Sequence, residues 1–232
     1  MGHVADNVAA VRERIAEAAA RSGRRPEDIR LIAVTKSISP EVIQEALAAG
    51  VRDLGENRVQ EAVPKVEVLP SDCTWHLIGH LQTNKAKVAA ETFCLIHSLD
   101  SLRLAQVLER RAAQVGKSVA CLVEVNVAGE VSKHGISPDE LVHFLSSVST
   151  LEHISVRGLM TVAPYSHDPE EVRPVFRKLR DLACQAAELK LPRVNMTELS
   201  MGMSGDFEVA IEEGATMVRI GSAIFGARSL QN

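Results

Sequence analysis

No apolar run in this sequence approaches the ~20 residues that a membrane-spanning helix needs. The segment Met1 to Ala20 interleaves acidic and basic side chains and has no apolar h-region, which argues against a signal peptide. The four cysteines, Cys73, Cys94, Cys121 and Cys184, are scattered without C-x-x-C spacing, so neither a disulfide framework nor a zinc site is indicated. The eight histidines lack metal-ligand spacing as well. Positive charge is nowhere concentrated and the formal net charge is −4, which argues against a nucleic-acid surface. No Pro/Gly/Ser-rich linker divides the chain. These absences lead us to expect a soluble, cytoplasmic chain with reduced thiols, folded as one domain over residues 1–232.

What is present is an alternation. Val4, Val8, Val11, Ile15 and Ala18 form one apolar helical stripe, closed by Gly23 after Arg21. The run Arg30-Leu-Ile-Ala-Val-Thr-Lys36 then lacks helical periodicity and is expected to be a strand buried on both faces. Ser39-Pro40-Glu41 supplies an N-cap, a proline at N1 and an acidic first turn for a helix reaching Gly50. The pattern repeats, with strand cores near Val51–Leu54, Trp75–Gly79, Cys94–His97, Val119–Val127, Val156–Val162, Asn195–Leu199 and Met217–Ile220. Helical stretches fill the gaps at Arg58–Val68, Asn84–Glu91, Ser101–Val115, Asp139–Val148, Glu171–Leu189 and Asp206–Glu213. Pro174 predicts either a later start or a kink in the Glu171–Leu189 helix. Eight strands and eight helices, one preceding the first strand, favour an α/β fold closed as a single (β/α)8 TIM barrel over an open doubly wound sheet.

In such barrels, active sites gather at the C-terminal ends of the strands. Polar residues fall there: Lys36 after strand one, Glu56-Asn57-Arg58 after two, His80-Leu-Gln82 after three, Asn126 after five, Met160-Thr161 after six. Lys36 either snorkels to the rim, pairs with Glu56, or is partly desolvated, which frees a neutral amine to condense with an aldehyde. The loops Leu199-Ser-Met-Gly-Met-Ser-Gly-Asp206 and Arg219-Ile-Gly-Ser-Ala-Ile-Phe-Gly226 combine glycine and serine at strand exits. They are either ordinary turns or a phosphate site in which Gly202 and Gly221 allow close backbone approach. A lysine opposite a phosphate site suits pyridoxal 5′-phosphate (PLP) and equally a Schiff-base aldolase. Arg219 favours PLP, because such enzymes place an Asp or Arg at the pyridine nitrogen; an ion pair with a neighbouring carboxylate is its other reading. His76 reads as a hydrogen-bonded histidine of core or rim more than as a general base. His80, Asn84 and Lys85 read as a helix start near the cofactor, and Tyr165, the only tyrosine, has no evident catalytic partner.

Six runs resemble one family closely: Ala33-Val-Thr-Lys36, Leu54-Gly-Glu-Asn-Arg-Val-Gln-Glu61, Trp75-His-Leu-Ile-Gly-His-Leu-Gln-Thr-Asn-Lys85, Gly158-Leu-Met-Thr161, Leu199-Ser-Met-Gly-Met-Ser204 and Val218-Arg-Ile-Gly-Ser-Ala-Ile-Phe-Gly226. They resemble the pyridoxal-phosphate homeostasis proteins of the YggS/PROSC type. The resemblance implies a barrel like the alanine racemase N-terminal domain, with PLP held as a Schiff base on Lys36. It further implies Arg219 near the pyridine nitrogen, Asn57 near the ring, and Ser200, Gly221 and Ser222 around the phosphate. It implies a role in PLP supply and in amino- and keto-acid balance, with apo PLP enzymes as recipients and no robust turnover.

A PLP-dependent enzyme such as an amino-acid racemase is the alternative, and a Schiff-base lyase without PLP a third. Racemising relatives carry a second β-rich domain supplying a tyrosine base, whereas only seven residues follow Phe225 here. Racemisation needs acid–base groups on both faces of the α-carbon, and only Lys36 is an obvious candidate. The expectation is therefore a carrier of PLP, with no catalytic residues and no metal.

Overall fold

The computed structural model describes residues 2–130 and 133–226. The tail beyond Gly226, which includes most of the seven residues after Phe225, lies outside the described residues. Eight parallel strands close into a barrel in sequential order: β1 (Arg30–Val34), β2 (Asp53–Glu56), β3 (Thr74–Leu77), β4 (Leu95–Leu99), β5 (Val119–Glu124), β6 (Ile154–Met160), β7 (Val194–Ser200) and β8 (Met217–Ile220). β1 pairs with both β2 and β8, which closes the sheet. The helices are α1 (Gly2–Arg21), α2 (Pro40–Ala48), α3 (Val59–Val68), α4 (Ala86–Thr92), α5 (Leu102–Val115), α6 (Leu141–Val148), α7 (Arg173–Glu188), α8 (Phe207–Glu212) and the short α9 (Ser222–Phe225).

Each expected strand is present, with ends displaced by up to a few residues. The largest end shift is at β5, which stops at Glu124, three residues short of Val127; at β2 apolar Val51 belongs to the approach and the strand runs on through Glu56. The expected helix starts at Asn84, Asp139 and Glu171 each become 3-10 turns before the α-helix proper. Pro174 sits at the second residue of α7, so it starts that helix and does not kink it. None of the described helices is long and apolar enough to cross a membrane.

Two apolar regions hold the barrel. The larger packs strands against helices and includes the α1 stripe from Val4 to Ala18. The smaller fills the lumen with Ile32, Leu95, Leu122, Met160 and Met217. Strand residues two apart face the same side. His97, Glu124 and Arg219 thus stand one pleat above Leu95, Leu122 and Met217, and form a polar layer over an apolar plug. Lys36 lies beyond Val34 and Ile32 on the same alternation.

Candidate functional site at the C-terminal mouth of the barrel

Lys36 is half-buried in the turn after β1, and Ser37 beside it holds a left-handed φ of 61°. Non-glycine residues adopt that region only when their surroundings enforce it. Here α3 does so. Lys65 of α3 donates to the Thr35 carbonyl at 2.7 Å and to Glu56 Oε1 at 2.6 Å, and Thr35 Oγ1 donates to the same carboxylate oxygen at 2.7 Å. Glu61 Oε2 accepts from Ser37 N at 3.3 Å. Glu56, the carboxylate expected as an alternative partner for Lys36, is thus held by Lys65 and Thr35 on the helix side of the barrel wall.

Arg219 is buried on β8, directly beside β1, where it is in register with Ile32. No carboxylate bridges it among the described residues. It donates to Ser200 Oγ at 2.7 Å and to the Thr161 carbonyl at 2.9 Å. The ion-pair reading of this arginine therefore fails. Burial brings its pKa down to about 10, with Asp206 and Glu124 opposing, so it stays cationic at neutral pH.

Ser200 is fully buried at the end of β7, and its hydroxyl is committed to Arg219 and to His97 Nδ1, 2.9 Å away. Its side chain stands under Arg219, inside the barrel. The loops after β7 and β8 do meet: Arg219 N donates to the Gly202 carbonyl at 3.0 Å, and Ala223 N donates to Ser204 Oγ at 3.2 Å. Gly202 has φ +92°, and a Cβ there would lie 2.6 Å from the Ala210 Cβ and 2.9 Å from the Phe207 Cα. Packing on α8 is thus what requires this glycine. Gly221 lies over Val34 and caps α9, whose first residue, Ser222, is exposed.

Asn57 follows β2 and is half-buried, with Gly79 against its backbone. A Cβ at Gly79 would stand 2.5 Å from the Asn57 carbonyl oxygen and 2.8 Å from its Cα. The Gly79→Ala variant must therefore push the exit of β2 aside. We expect it to cost about 1–3 kcal/mol, read as a lowered midpoint in urea unfolding. Asn57 and His80 line a shared cavity of about 360 Å³ with Arg58, Gln82 and Lys85. His80 is exposed at the rim; its Nδ1 lies 2.9 Å from Asp100 Oδ2, and its ring stacks on His134 with centroids 3.9 Å apart. His80, Asp100 and His134 bring ligating atoms within 4.8 Å of one another. The two imidazole planes, however, are 11° from parallel, so their in-plane lone pairs do not converge on one ion.

Two groups escaped the sequence reading. Glu124, at the end of β5, has its pKa raised to about 7, first by burial and then by Asp100, against the pull of Arg219. Its alternation with Leu122 was the available signal. His97 is buried, and its ring is held neutral by desolvation and by its neighbours His76, Arg219 and Arg30. Its link to Ser200 spans 103 residues and left no mark in local pattern. His76 is buried and hydrogen-bonded to Asp53 at 2.9 Å, so it is a core histidine.

The profile described as alanine racemase, N-terminal domain, matches residues 7–229. A pyridoxal phosphate homeostasis protein of Aquifex aeolicus is 46% identical over 224 residues, 96% of this chain and 97% of that protein. The protein of the same name from Escherichia coli K12 is 44% identical over 98% of both chains. Among solved structures, PipY of Synechococcus elongatus with PLP bound superposes with a TM-score of 0.79 at 41% identity, covering 91% of this chain and 100% of PipY. An alanine racemase of Clostridium difficile shares the fold with a TM-score of 0.75 at 17% identity, over 97% of this chain and 58% of the racemase.

Proposed function

The chain belongs to the alanine racemase N-terminal domain family and, within it, to the pyridoxal phosphate homeostasis proteins, and we propose that it holds PLP through Lys36. The observation that carries this reading is the placement of Lys36, at the exit of β1, beside a strand, β8, whose buried guanidinium no carboxylate bridges among the described residues. That donor set suits a flat anionic ring compound bearing an aldehyde. Lys36 Nζ would hold the aldehyde carbon as a Schiff base, with Arg219 toward the pyridine nitrogen and Asn57 toward the ring. Gly221 and Ser222, with the Gly202 loop, would receive the phosphate, and Ser200 supports Arg219 from below. His80 stands at the rim.

PLP supplies a reversible imine and an electron-withdrawing ring when bound. A cationic arginine leaves the ring nitrogen unprotonated, which weakens that withdrawal. The site is thereby matched to retention and release of the cofactor more than to carbanion chemistry. We infer a role in PLP homeostasis in the cytoplasm, with supply to apo PLP enzymes and an effect on amino- and keto-acid balance, over a single domain spanning 1–232. Glu124 favours a second reading, a PLP-dependent enzyme, since a carboxyl that titrates near pH 7 is suited to moving protons.

Borohydride reduction of the protein incubated with PLP should fix a phosphopyridoxyl mass on the peptide carrying Lys36. A mass on another lysine, or none, would sink the proposal. Exchange of the α-proton of L-amino acids in deuterated buffer separates the two readings. Turnover that is rapid in the wild type and lost in Lys36→Ala and Glu124→Gln would establish the enzyme.

A further inference from the structure

Arg219 is charged and buried, no carboxylate among the described residues bridges it, and two donors of its guanidinium end on neutral acceptors. The first of these acceptors opens a chain. An arginine only donates, so Ser200 Oγ accepts from it and must send its own proton elsewhere. His97 Nδ1, at 2.9 Å, receives it. Nδ1 is then an acceptor, and neutral His97 carries its proton on Nε2, which faces His76 Nδ1 at 3.0 Å. His76 in turn is an Nε2–H tautomer donating to Asp53 Oδ1 at 2.9 Å. Asp53 begins β2 at the N-terminal face of the barrel, partly exposed, with Arg30 Nε 3.7 Å away.

Every bond in this series therefore points the same way, from the cation at the mouth to the anion at the far face. The three groups between them are all buried. A carboxylate placed directly against Arg219 would compete with any ligand for the guanidinium. A chain of neutral dipoles ending on a distant carboxylate stabilises the charge and fixes its plane while leaving the front of the group to the ligand.

We propose that His97 and His76 are positioning residues for Arg219, and that their one-way hydrogen-bond chain to Asp53 presents its guanidinium to the cofactor ring. The inference rests on the PLP reading above for its ligand, and on the interior geometry alone for the chain. Neither histidine touches the cofactor; they act through Ser200.

The chain can be tested without cofactor. Nitrogen-15 NMR of the histidine side chains should show His97 and His76 as neutral Nε2–H tautomers with acceptor-type Nδ1. An Nδ1–H tautomer or a charged ring at His97 at neutral pH overturns the proposal. With PLP, His97→Leu should weaken affinity about ten-fold or more and shift the visible band of the bound cofactor. His97→Asn, which keeps an acceptor toward Ser200, should stay within about three-fold of the wild type on the same scale. A folded His97→Leu protein with wild-type affinity and an unmoved band also overturns it. Failure of the wild type to take up PLP on Lys36 would instead refute the cofactor reading, and the tautomer pattern would still decide the chain.

Discussion

Replacement of Lys65 by methionine is expected to lower the free energy of unfolding by about 3–5 kcal/mol. Glu56 is wholly inaccessible to solvent, its Oε2 has no hydrogen-bond partner, and its Oε1 depends on Lys65 and Thr35. Methionine fills much of the volume of the lysine stem, so packing is largely kept while the ammonium is lost. What remains is a buried carboxylate with one hydroxyl donor. The double variant Lys65→Met, Glu56→Gln should recover a substantial part of the loss, because it removes the charge along with its partner. Urea unfolding of the two variants measures this directly. Equal stability of Lys65→Met and wild type would show that the pair contributes no more than a surface bridge does. Thr35 precedes Lys36, and Lys65 also grips its carbonyl. The single variant should therefore loosen the strained turn that carries the amine.

Glu124→Gln is expected to stabilise the protein at pH 8 by on the order of 3 kcal/mol, and to leave it unchanged at low pH. The native carboxyl keeps its proton up to about pH 7, whereas the ordinary value is 4.5. Between those two values the unfolded chain has lost a proton that the native state still binds. Stability of the wild type consequently falls as pH rises through this window and levels off above it. Glutamine carries no such proton and escapes the fall. Unfolding free energies of both proteins from pH 4 to 8, without cofactor, give the comparison. Parallel curves would mean that Glu124 titrates normally.

The legible part of the fold follows from periods that local sequence carries. Residues 30–36 and 217–220 read as strands because consecutive apolar residues buried on both faces leave no helical stripe, and the β8 bounds match residue for residue. The β2 ends were less legible. Its short run ends in Gly55-Glu56, whose burial is decided by close approach of Ile32 and Ile78 and by Lys65, all outside the segment. At the site, Lys36 and Arg219 could be found because each interrupts an apolar strand. Ser200 was found as a residue, but the commitment of its hydroxyl to Arg219 and His97 was not. Of those two partners, His97 lies across the barrel on β4. Contacts across a lumen have no sequence period, which is why the histidine chain stayed hidden.

β7 and β8 share a single register pair, Ser200 with Met217. On the N-terminal side of it Thr216 bonds Leu199 and Glu198; toward the mouth the two strands are joined by Met201 N to the Met217 carbonyl, by Arg219 N to the Gly202 carbonyl, and by the Arg219 side chain on Ser200. The residues at 200 and 219 are therefore fasteners of the sheet as well as furniture of the mouth. A lineage adjusting its grip on a ligand at these two positions would also be adjusting the seam of the barrel, so variation should run through the rim, at Asn57, His80 and Ser222, before it reaches them.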